Sequence, residues 1–217
     1  MGLVLHHYFR SSSSWRVRWA LAHKAVAYES RAVDLLAGLQ RDEAYVRDKS
    51  PMGLVPCLEV DGRPLTESVA IIEWLEETTP SPRLLPLDPW ARARVRQLVE
   101  LVNAGTQPLQ NLSVNRHVSS DPDAQKAWAR HWIDRGLTAL ERELAIAEGE
   151  GLGGRHAIGD AITAADLFIA PQLYNARRFE VDLARFPRLL AVEAAALATD
   201  AAKQSHPDRF APVSVRS

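Results

Sequence analysis

The sequence predicts an α/β half followed by an all-helical half, and three observations carry this prediction. In the first eighty residues, short β-prone runs alternate with helical patterns and end in a hairpin signal, Asp61-Gly62. A stretch with four prolines, Thr78 to Pro89, then interrupts all periodicity. Beyond it, apolar residues recur at helical spacing and strand signals largely vanish. The expected division is an α/β domain over residues 1–80, a linker over 81–89 and a helical domain over 90–217.

The first half is expected to follow the order β-α-β-α-β-β-α around a mixed sheet. The strands are predicted at Leu3–His6, Tyr28–Leu36, Val55–Val60 and Arg63–Thr66. The helices are predicted at Trp15–Ala25, Asp42–Asp48 and Val69–Glu77. Ser68 precedes the third of these helices and is expected to be its N-cap.

In the second half, two apolar stripes with helical spacing predict two helices. Their members are Val95, Leu98, Val99 and Val102, and then Ile133, Leu137, Leu140 and Leu144. The segment "ITAADL" has the form of a capping box, with Thr163 as N-cap and Asp166 reaching back to it. Pro187 is expected to open a further helix that runs through Leu197.

Composition excludes several classes of protein. Lys plus Arg number 26 and Asp plus Glu 27, which argues against nucleic acid or an anionic membrane as the main partner. The stretch Met1 to Arg10 is too short for a signal peptide, and no apolar run approaches membrane-spanning length. Cys57 is the only cysteine, so neither an internal disulfide nor a cysteine metal cluster can form, and we expect no bound metal. We therefore expect a soluble, cytoplasmic protein.

A run of four serines, Ser11 to Ser14, lies where the first strand is followed by the first helix. Taken alone, such serines are most often helix caps. Hydroxyl and N–H groups at a helix N-terminus also stabilise thiolates, lowering a thiol pKa from ~8.5 to ~6 or 7. A shift of about two units needs about 2.7 kcal/mol, which a charge-assisted hydrogen bond and the helix dipole can supply. Since no cysteine lies in this stretch, the thiol would have to belong to a ligand.

Two further features of the first half could contact the same ligand. Pro56 is either an ordinary loop proline or part of a cis bond that leaves the backbone of Val55 facing outward. Ser68 is either a simple cap or, with the helix dipole, a carboxylate site beside which Glu67 meets an ammonium group. A thiolate turn, an open strand backbone and an amino-acid headgroup site together fit glutathione.

The sequence resembles the zeta-class glutathione transferases over nearly its whole length. The resemblance implies a thioredoxin-like domain followed by an all-helical domain, glutathione as cofactor and a homodimer. The serine-rich start and "QPLQNLSV" are specific to this class. The matching segments are "YFRSSSSWRVRWAL", "SPMGLVPCLEVDGRPLTESVAIIEWLEE", "PSPRLLPLDP", "QPLQNLSV", "GDAITAADLFIAPQLYNARRFEVDL" and "SHP".

The resemblance also assigns roles to individual residues. Ser11 matches the hydroxyl that holds the glutathione thiolate, with Ser12 beside it, and Ser13 stands where several members have a cysteine. Glu67 replaces a residue that is often glutamine in the family. The positions that match glutathione contacts are Gln40, Val55, Pro56, Glu67, Ser68, Gln107, Asn111 and Ser113.

For the second substrate, the resemblance implies a small cis-enone diacid, and Arg10 and Arg178 match positions suited to its carboxylates. Leu112 stands where a maleylpyruvate-specific member would carry an arginine. The implied activity is therefore glutathione-dependent cis–trans isomerisation of 4-maleylacetoacetate to 4-fumarylacetoacetate, in tyrosine and phenylalanine breakdown. Three alternatives stay open: isomerisation of maleylpyruvate, glutathione transfer or dehalogenation on small α-halo acids, and a non-catalytic ligand-binding role.

Overall fold

The computed structural model describes residues 2–212 of the chain. These residues form two compact units. The first contains the chain up to Arg83 together with the described residues from Asp200 onward, and the second is Leu84–Thr199. The sequence-based division instead assigns Asp200 and the residues after it to the helical domain. Within residues 2–212, no helix is long and apolar enough to cross a membrane.

The described residues of the first unit form a mixed sheet of four strands in the order β2-β1-β3-β4. The strands are β1 Leu3–His7, β2 Glu29–Ala32, β3 Cys57–Val60 and β4 Arg63–Thr66. β1 pairs in parallel with β2 and antiparallel with β3, and β3 pairs antiparallel with β4. Asp61 and Gly62 join β3 to β4 with φ of +48° and +81°, as a two-residue hairpin turn requires.

The helices of both units follow the sequence patterns in most places. They are α1 Ser12–His23, α2 Glu43–Asp48, α3 Ser68–Thr78, α4 Pro89–Asn103, α5 Leu112–Val118, α6 Pro122–Gly149, α7 Ala164–Arg178, α8 Pro187–Leu197 and α9 Asp200–Ser205. Short 3₁₀ segments lie at Leu39–Arg41, Gln107–Gln110, Leu183–Arg185 and Pro207–Phe210. In the first unit, α1 packs against α3 and α9.

Four boundaries in the first unit differ from prediction by two or more residues, each for a local reason. α1 begins at Ser12 because the Ser11 side chain caps it, and the helix ends before Ala25, which has φ +52°. β2 ends at Ala32, because the Asp34 carboxylate soon accepts two backbone N–H bonds and turns the chain. β3 begins at Cys57, since Pro56 has no N–H for the ladder.

The predicted N-cap of α3 is wrong. Ser68 is the first residue of the helix, and Glu67 occupies the cap position with φ +67° and no side-chain cap hydrogen bond. The Ser68 Oγ instead lies 3.4 Å from Arg16 Nη1 and accepts its hydrogen bond. Side-chain contact with α1 has therefore replaced local capping at this helix start.

The helical unit is built around α7, which packs against α4, α6 and α8 and is buried along most of its length. The predicted capping box at its start is confirmed: Thr163 donates to Asp166 Oδ2 through its N–H (2.8 Å) and its hydroxyl (2.9 Å). Asp166 Oδ1 also accepts the Ala157 N–H and lies 3.1 Å from His156 Nδ1. Four partners thus satisfy a fully buried carboxylate, which stabilises this helix start.

His7 joins three elements of the first unit through its ring. Nδ1 accepts a hydrogen bond from Arg18 Nη1 on α1 at 3.1 Å, and Nε2 donates to Ser30 Oγ on β2 at 2.7 Å. Burial, followed by the charge of Arg18 and then His6, lowers the pKa of His7 to about 3. The ring is therefore neutral in the folded protein at every pH near neutrality.

This neutrality makes the free energy of unfolding depend on pH. The unfolded chain binds a proton at His7 below its ordinary pKa of 6.5, whereas the folded chain does not until about 3, so stability is lost as pH falls between these values. We expect His7 alone to lower the free energy of unfolding by about 2 kcal/mol when the pH falls from 7 to 5. Urea unfolding of wild type and His7→Gln at both values measures this.

His7→Gln should be less stable at pH 7 but should lose about 2 kcal/mol less than wild type on acidification. His117→Gln, at an exposed position on α5, controls for replacing a histidine. Equal pH dependence in wild type and His7→Gln would contradict the assignment.

Candidate active site

The turn before α1 presents hydroxyl and N–H groups at a helix N-terminus. Ser11 accepts the Ser14 N–H at 3.2 Å through its Oγ, and its own N–H donates to Tyr8 O at 3.1 Å. Ser11, Ser12 and Ser13 are half-buried. Because Ser11 Oγ acts as acceptor toward the helix, its hydroxyl proton is still available for an anion beside the turn.

The helix that follows this turn, α1, contains two buried arginines to which the sequence patterns assign no role. Arg16 and Arg18 are both fully buried. Arg16 donates to Ser68 Oγ, which links the start of α3 to α1. Glu67 is exposed and held at φ +67°, ψ +116°, a backbone conformation that costs a residue other than glycine about 1–3 kcal/mol and is frequent at functional sites.

Val55 precedes β3 at a cis bond to Pro56. Within residues 2–212, the Val55 N–H and C=O form no hydrogen bond with the rest of the protein. They can therefore pair with an extended ligand backbone. Gln40 lies in the 3₁₀ segment Leu39–Arg41, and its Oε1 is buried with no hydrogen-bond partner among the described residues.

The site residues predicted in the helical unit lie around the start of α5. Gln107 opens the 3₁₀ segment Gln107–Gln110. Asn111 is the N-cap of α5, and its Oδ1 accepts hydrogen bonds from both the N–H and the hydroxyl of Ser113 at 3.1 Å. These two side chains therefore also shape the start of α5, a role that no sequence pattern predicts.

A buried amide pair supports this segment from α7. Gln110 and Gln172 donate to each other's carbonyl oxygen at 2.9 and 3.1 Å. Asn115 Nδ2 also donates to Gln110 O, and Trp128 Nε1 donates to Leu109 O at 2.7 Å. No short sequence motif marks Gln172, because its role depends on a partner 62 residues away.

The arginines predicted to bind carboxylates are both exposed. In the first unit, the Arg10 guanidinium lies 5.0 Å from the ring centroid of Phe9. In the helical unit, Arg178 Nη1 donates to Asn175 Oδ1 at 3.3 Å. The neighbouring Arg177 is bound to Glu193, with Nη1 donating to Oε1 at 2.6 Å, and so is committed to the protein itself.

The arrangement in the first unit suits an anionic ligand with an extended peptide backbone. It combines the N-terminus of α1, the hydroxyl of Ser11 and the open backbone of Val55. Among residues 2–212, no cluster of three His, Cys, Asp or Glu side chains could hold a metal ion.

Comparison with known proteins matches both units to one family. Residues 10–78 match the model of the glutathione S-transferase N-terminal domain, and residues 130–195 match that of the C-terminal domain. The chain is 45% identical to the maleylacetoacetate isomerase of Rattus norvegicus over 95% of this chain and 93% of the rat protein.

Solved structures of isomerases are also similar to this chain. The maleylacetoacetate isomerase of Anaeromyxobacter dehalogenans with bound GSH is 50% identical, with a TM-score of 0.85, over 96% of both chains. A second structure of that enzyme contains dicarboxyethyl glutathione and citrate in the active site; it is 49% identical, with a TM-score of 0.85, over 96% of this chain and 95% of that chain. A bacterial maleylpyruvate isomerase described as a zeta-class glutathione S-transferase is 38% identical, with a TM-score of 0.89, over 94% and 96% of the two chains.

The chain belongs to the glutathione S-transferase family. Within that family, its relatives include maleylacetoacetate isomerases and a maleylpyruvate isomerase of the zeta class, which confirms the resemblance and the fold class predicted from the sequence.

The positive φ of Glu67 predicts how substitutions at this position change stability. Glycine adopts φ +67° freely, whereas alanine retains the strain of glutamate, so Glu67→Gly should be about 1 kcal/mol more stable than Glu67→Ala. Ala70→Gly, at an exposed position within α3, should instead destabilise by about 1 kcal/mol. Urea unfolding of the three variants tests the sign, and a Glu67→Gly variant less stable than Glu67→Ala would contradict it.

Proposed function

We propose that this protein is a glutathione-dependent cis–trans isomerase that converts 4-maleylacetoacetate to 4-fumarylacetoacetate, a step of tyrosine and phenylalanine breakdown. The observation that carries the proposal is 45% identity to a maleylacetoacetate isomerase over 95% of the chain. The serine turn at the start of α1 supports it independently, because its donors can stabilise a thiolate.

Glutathione fits the donors of the first unit. When bound, it supplies a thiolate whose reversible addition to the conjugated cis double bond permits rotation, so that glutathione is not consumed. The thiol would lie at the turn of Ser11, Ser12 and Ser13, and the Val55 backbone next to Pro56 would pair with the cysteinyl backbone. Bound GSH in a 50% identical relative supports this assignment.

Ser11 would act as the hydrogen-bond donor to the thiolate. Its Oγ already accepts the Ser14 N–H, so the hydroxyl proton can be donated to an anion beside the turn without loss of the helix cap. A thiol pKa lowered by about two units needs about 2.7 kcal/mol, which matches one charge-assisted hydrogen bond plus the helix dipole. The turn thus has donors of the right kind and number for this chemistry.

The two charged ends of glutathione would be held by separate groups. Glu67 would bind the ammonium group of the γ-glutamyl residue. The N-terminus of α3 at Ser68 would bind the carboxylate of that same residue, and Gln40 would contact the glycyl end. We assign the remaining contacts to three residues of the helical unit: Gln107, Asn111 and Ser113.

Arg10 and Arg178 would bind the carboxylates of the diacid substrate. Both guanidinium groups are exposed, and each is oriented by one neighbouring side chain, Phe9 and Asn175 respectively. Dicarboxyethyl glutathione and citrate, which occupy the active site of the Anaeromyxobacter relative, both carry several carboxyl groups, and this supports a diacid as substrate.

Maleylpyruvate isomerisation is the second candidate, favoured by the TM-score of 0.89 to a maleylpyruvate isomerase. Lower identity to that enzyme, 38%, weighs against it, as does Leu112, an exposed apolar residue at the start of α5 where an arginine would be expected. The rates measured with the two diacids distinguish the candidates. Glutathione transfer to an α-halo acid would consume glutathione, whereas isomerisation of a diacid returns it, so the free glutathione recovered after turnover of each substrate distinguishes the two reactions.

We also infer a cytoplasmic homodimer. The buried, unbridged Cys57 fits a reducing compartment, and the zeta-class resemblance supports the dimer. Sedimentation as a monomer at micromolar concentration, or recovery outside the cytoplasmic fraction, would contradict the respective inference.

The catalytic role of Ser11 is tested by turnover of maleylacetoacetate with and without glutathione. We expect activity to require glutathione and Ser11→Ala to lower kcat/KM roughly 100-fold, because the thiolate loses its hydrogen-bond donor. Cys57→Ala is the control: burial, with Glu59 second, raises the pKa of this thiol to about 11, so it is not a nucleophile. Equal activity of Ser11→Ala and wild type would refute the assigned role.

The role of Arg178 is tested by the two Michaelis constants. Arg178→Gln should raise KM for maleylacetoacetate roughly 10-fold, as expected for loss of one carboxylate contact, and leave KM for glutathione nearly unchanged. Arg142→Gln, which removes another exposed arginine of the helical unit, should change neither. An unaltered KM for the diacid in Arg178→Gln would remove Arg178 from the substrate site.

A further inference from the structure

We propose that Arg18 is a positioning residue that holds the Ser11 turn in the geometry needed to bind the glutathione thiolate, and that Ser205 and Phe210 hold Arg18. The inference rests on the proposed function, since it assigns a support to the same site. It adds the segment from Asp200 to Phe210 to the parts of the chain on which the chemistry depends.

Arg18 binds the carbonyl groups that close the turn. Its Nη2 donates to Phe9 O at 3.0 Å, and its Nη1 donates to Tyr8 O at 3.3 Å. Tyr8 O is also the acceptor of the Ser11 N–H, at 3.1 Å. Arg18 therefore fixes the same oxygen atom that fixes the backbone of Ser11.

Helix geometry explains why Arg18 can reach this position. Arg18 follows Ser11 by seven positions, which is about two turns of helix, so both lie on one face of α1. Side chains of an α-helix also point back toward its N-terminus. The guanidinium of Arg18 thus reaches back to the turn that precedes its own helix.

The other side of the guanidinium is held by the segment that follows the helical unit. Arg18 Nε donates to Ser205 O at 3.2 Å, and its Cζ lies 4.6 Å from the ring centroid of Phe210. The same segment is tied to α1 by Trp15, whose Nε1 donates to Ser205 Oγ at 3.3 Å. Each nitrogen of Arg18 therefore has a partner, and the partners lie in three directions.

A lysine cannot replace this arrangement. Arg18 is fully buried, and although burial lowers its pKa to about 10, it stays charged at neutral pH. A planar guanidinium bonds several carbonyl oxygens in fixed directions and packs on an aromatic ring, whereas an ammonium is a point charge on a flexible stem. Arg18→Lys therefore keeps the positive charge and removes the planar set of directed hydrogen-bond donors.

The experiment measures the pKa of the thiol of glutathione bound to the full-length protein, by the ultraviolet absorption of the thiolate, and the pH profile of kcat/KM. Arg18→Lys should raise the thiol pKa by about one unit and move the acid limb of the profile upward by the same amount. Phe210→Leu leaves Arg18 in place and should produce a smaller shift in the same direction.

Lys24→Gln is the matched control. Lys24 is a buried cation at the opposite end of α1, and its Nζ donates to Glu76 Oε2 (2.7 Å), Thr79 O (2.7 Å) and Pro82 O (2.9 Å). This variant should lose stability in urea unfolding without a shift of the thiol pKa. It separates weakening of the fold in general from loss of support at the turn.

Three outcomes decide the inference. Shifts in Arg18→Lys and Phe210→Leu but not in Lys24→Gln support it, and Phe210→Leu decides alone if Arg18→Lys does not fold. Unshifted thiol pKa values in the folded variants, or an equal shift in Lys24→Gln, overturn it while glutathione-dependent turnover stands. A wild-type protein that does not lower the thiol pKa at all overturns the proposed function, and the inference with it.

Discussion

The hydrogen bond from the Ser14 N–H to the Ser11 hydroxyl is the interaction on which the first unit depends. It starts α1 directly after the turn that follows β1, so the first N–H groups of the helix and a serine hydroxyl share one small volume. The same interaction that satisfies the helix leaves a proton donor available for an anion. Stability and the proposed chemistry therefore need the same conformation here and do not compete for it.

Both units contain buried polar groups that are satisfied by specific partners. In the helical unit, Asp166 has four partners and the amides of Gln110 and Gln172 satisfy each other. In the first unit, Arg18 is surrounded by carbonyl oxygens, a histidine nitrogen and an aromatic ring. Removing one partner leaves the other buried and unsatisfied, so these contacts specify one arrangement of the backbone near the site.

Sequence patterns predicted what depends on neighbours in the chain. The hairpin at Asp61-Gly62, the capping box of Thr163 and Asp166 and the serine turn all have short-range signals, and the structure contains each of them. The start of α1 was placed too late because four serines are weak helix formers and only the cap contact decides the boundary.

The contacts of Ser68 and Arg18 could not be predicted from local sequence, because their partners are distant in the chain. Ser68 looks like a cap in sequence, but a buried arginine 52 residues away binds its hydroxyl. Arg18 looks like a surface residue in sequence, and its burial depends in part on Ser205, which is 187 positions away. The backbone strain at Glu67 has no residue-type signal either, since glycine is the residue expected at such a φ.

The grouping of Asp200 and the residues after it with the first unit has a consequence for synthesis on the ribosome. Domains commonly fold in the order in which they emerge, and here the whole of Leu84–Thr199 must be translated before Ser205 and Phe210 exist to cover α1. Until then, the indole ring of Trp15 lacks its contacts with Ser205 and His206. The nascent chain thus carries an incompletely covered apolar helix while its second unit is being made, and exposed apolar surface of this kind favours aggregation.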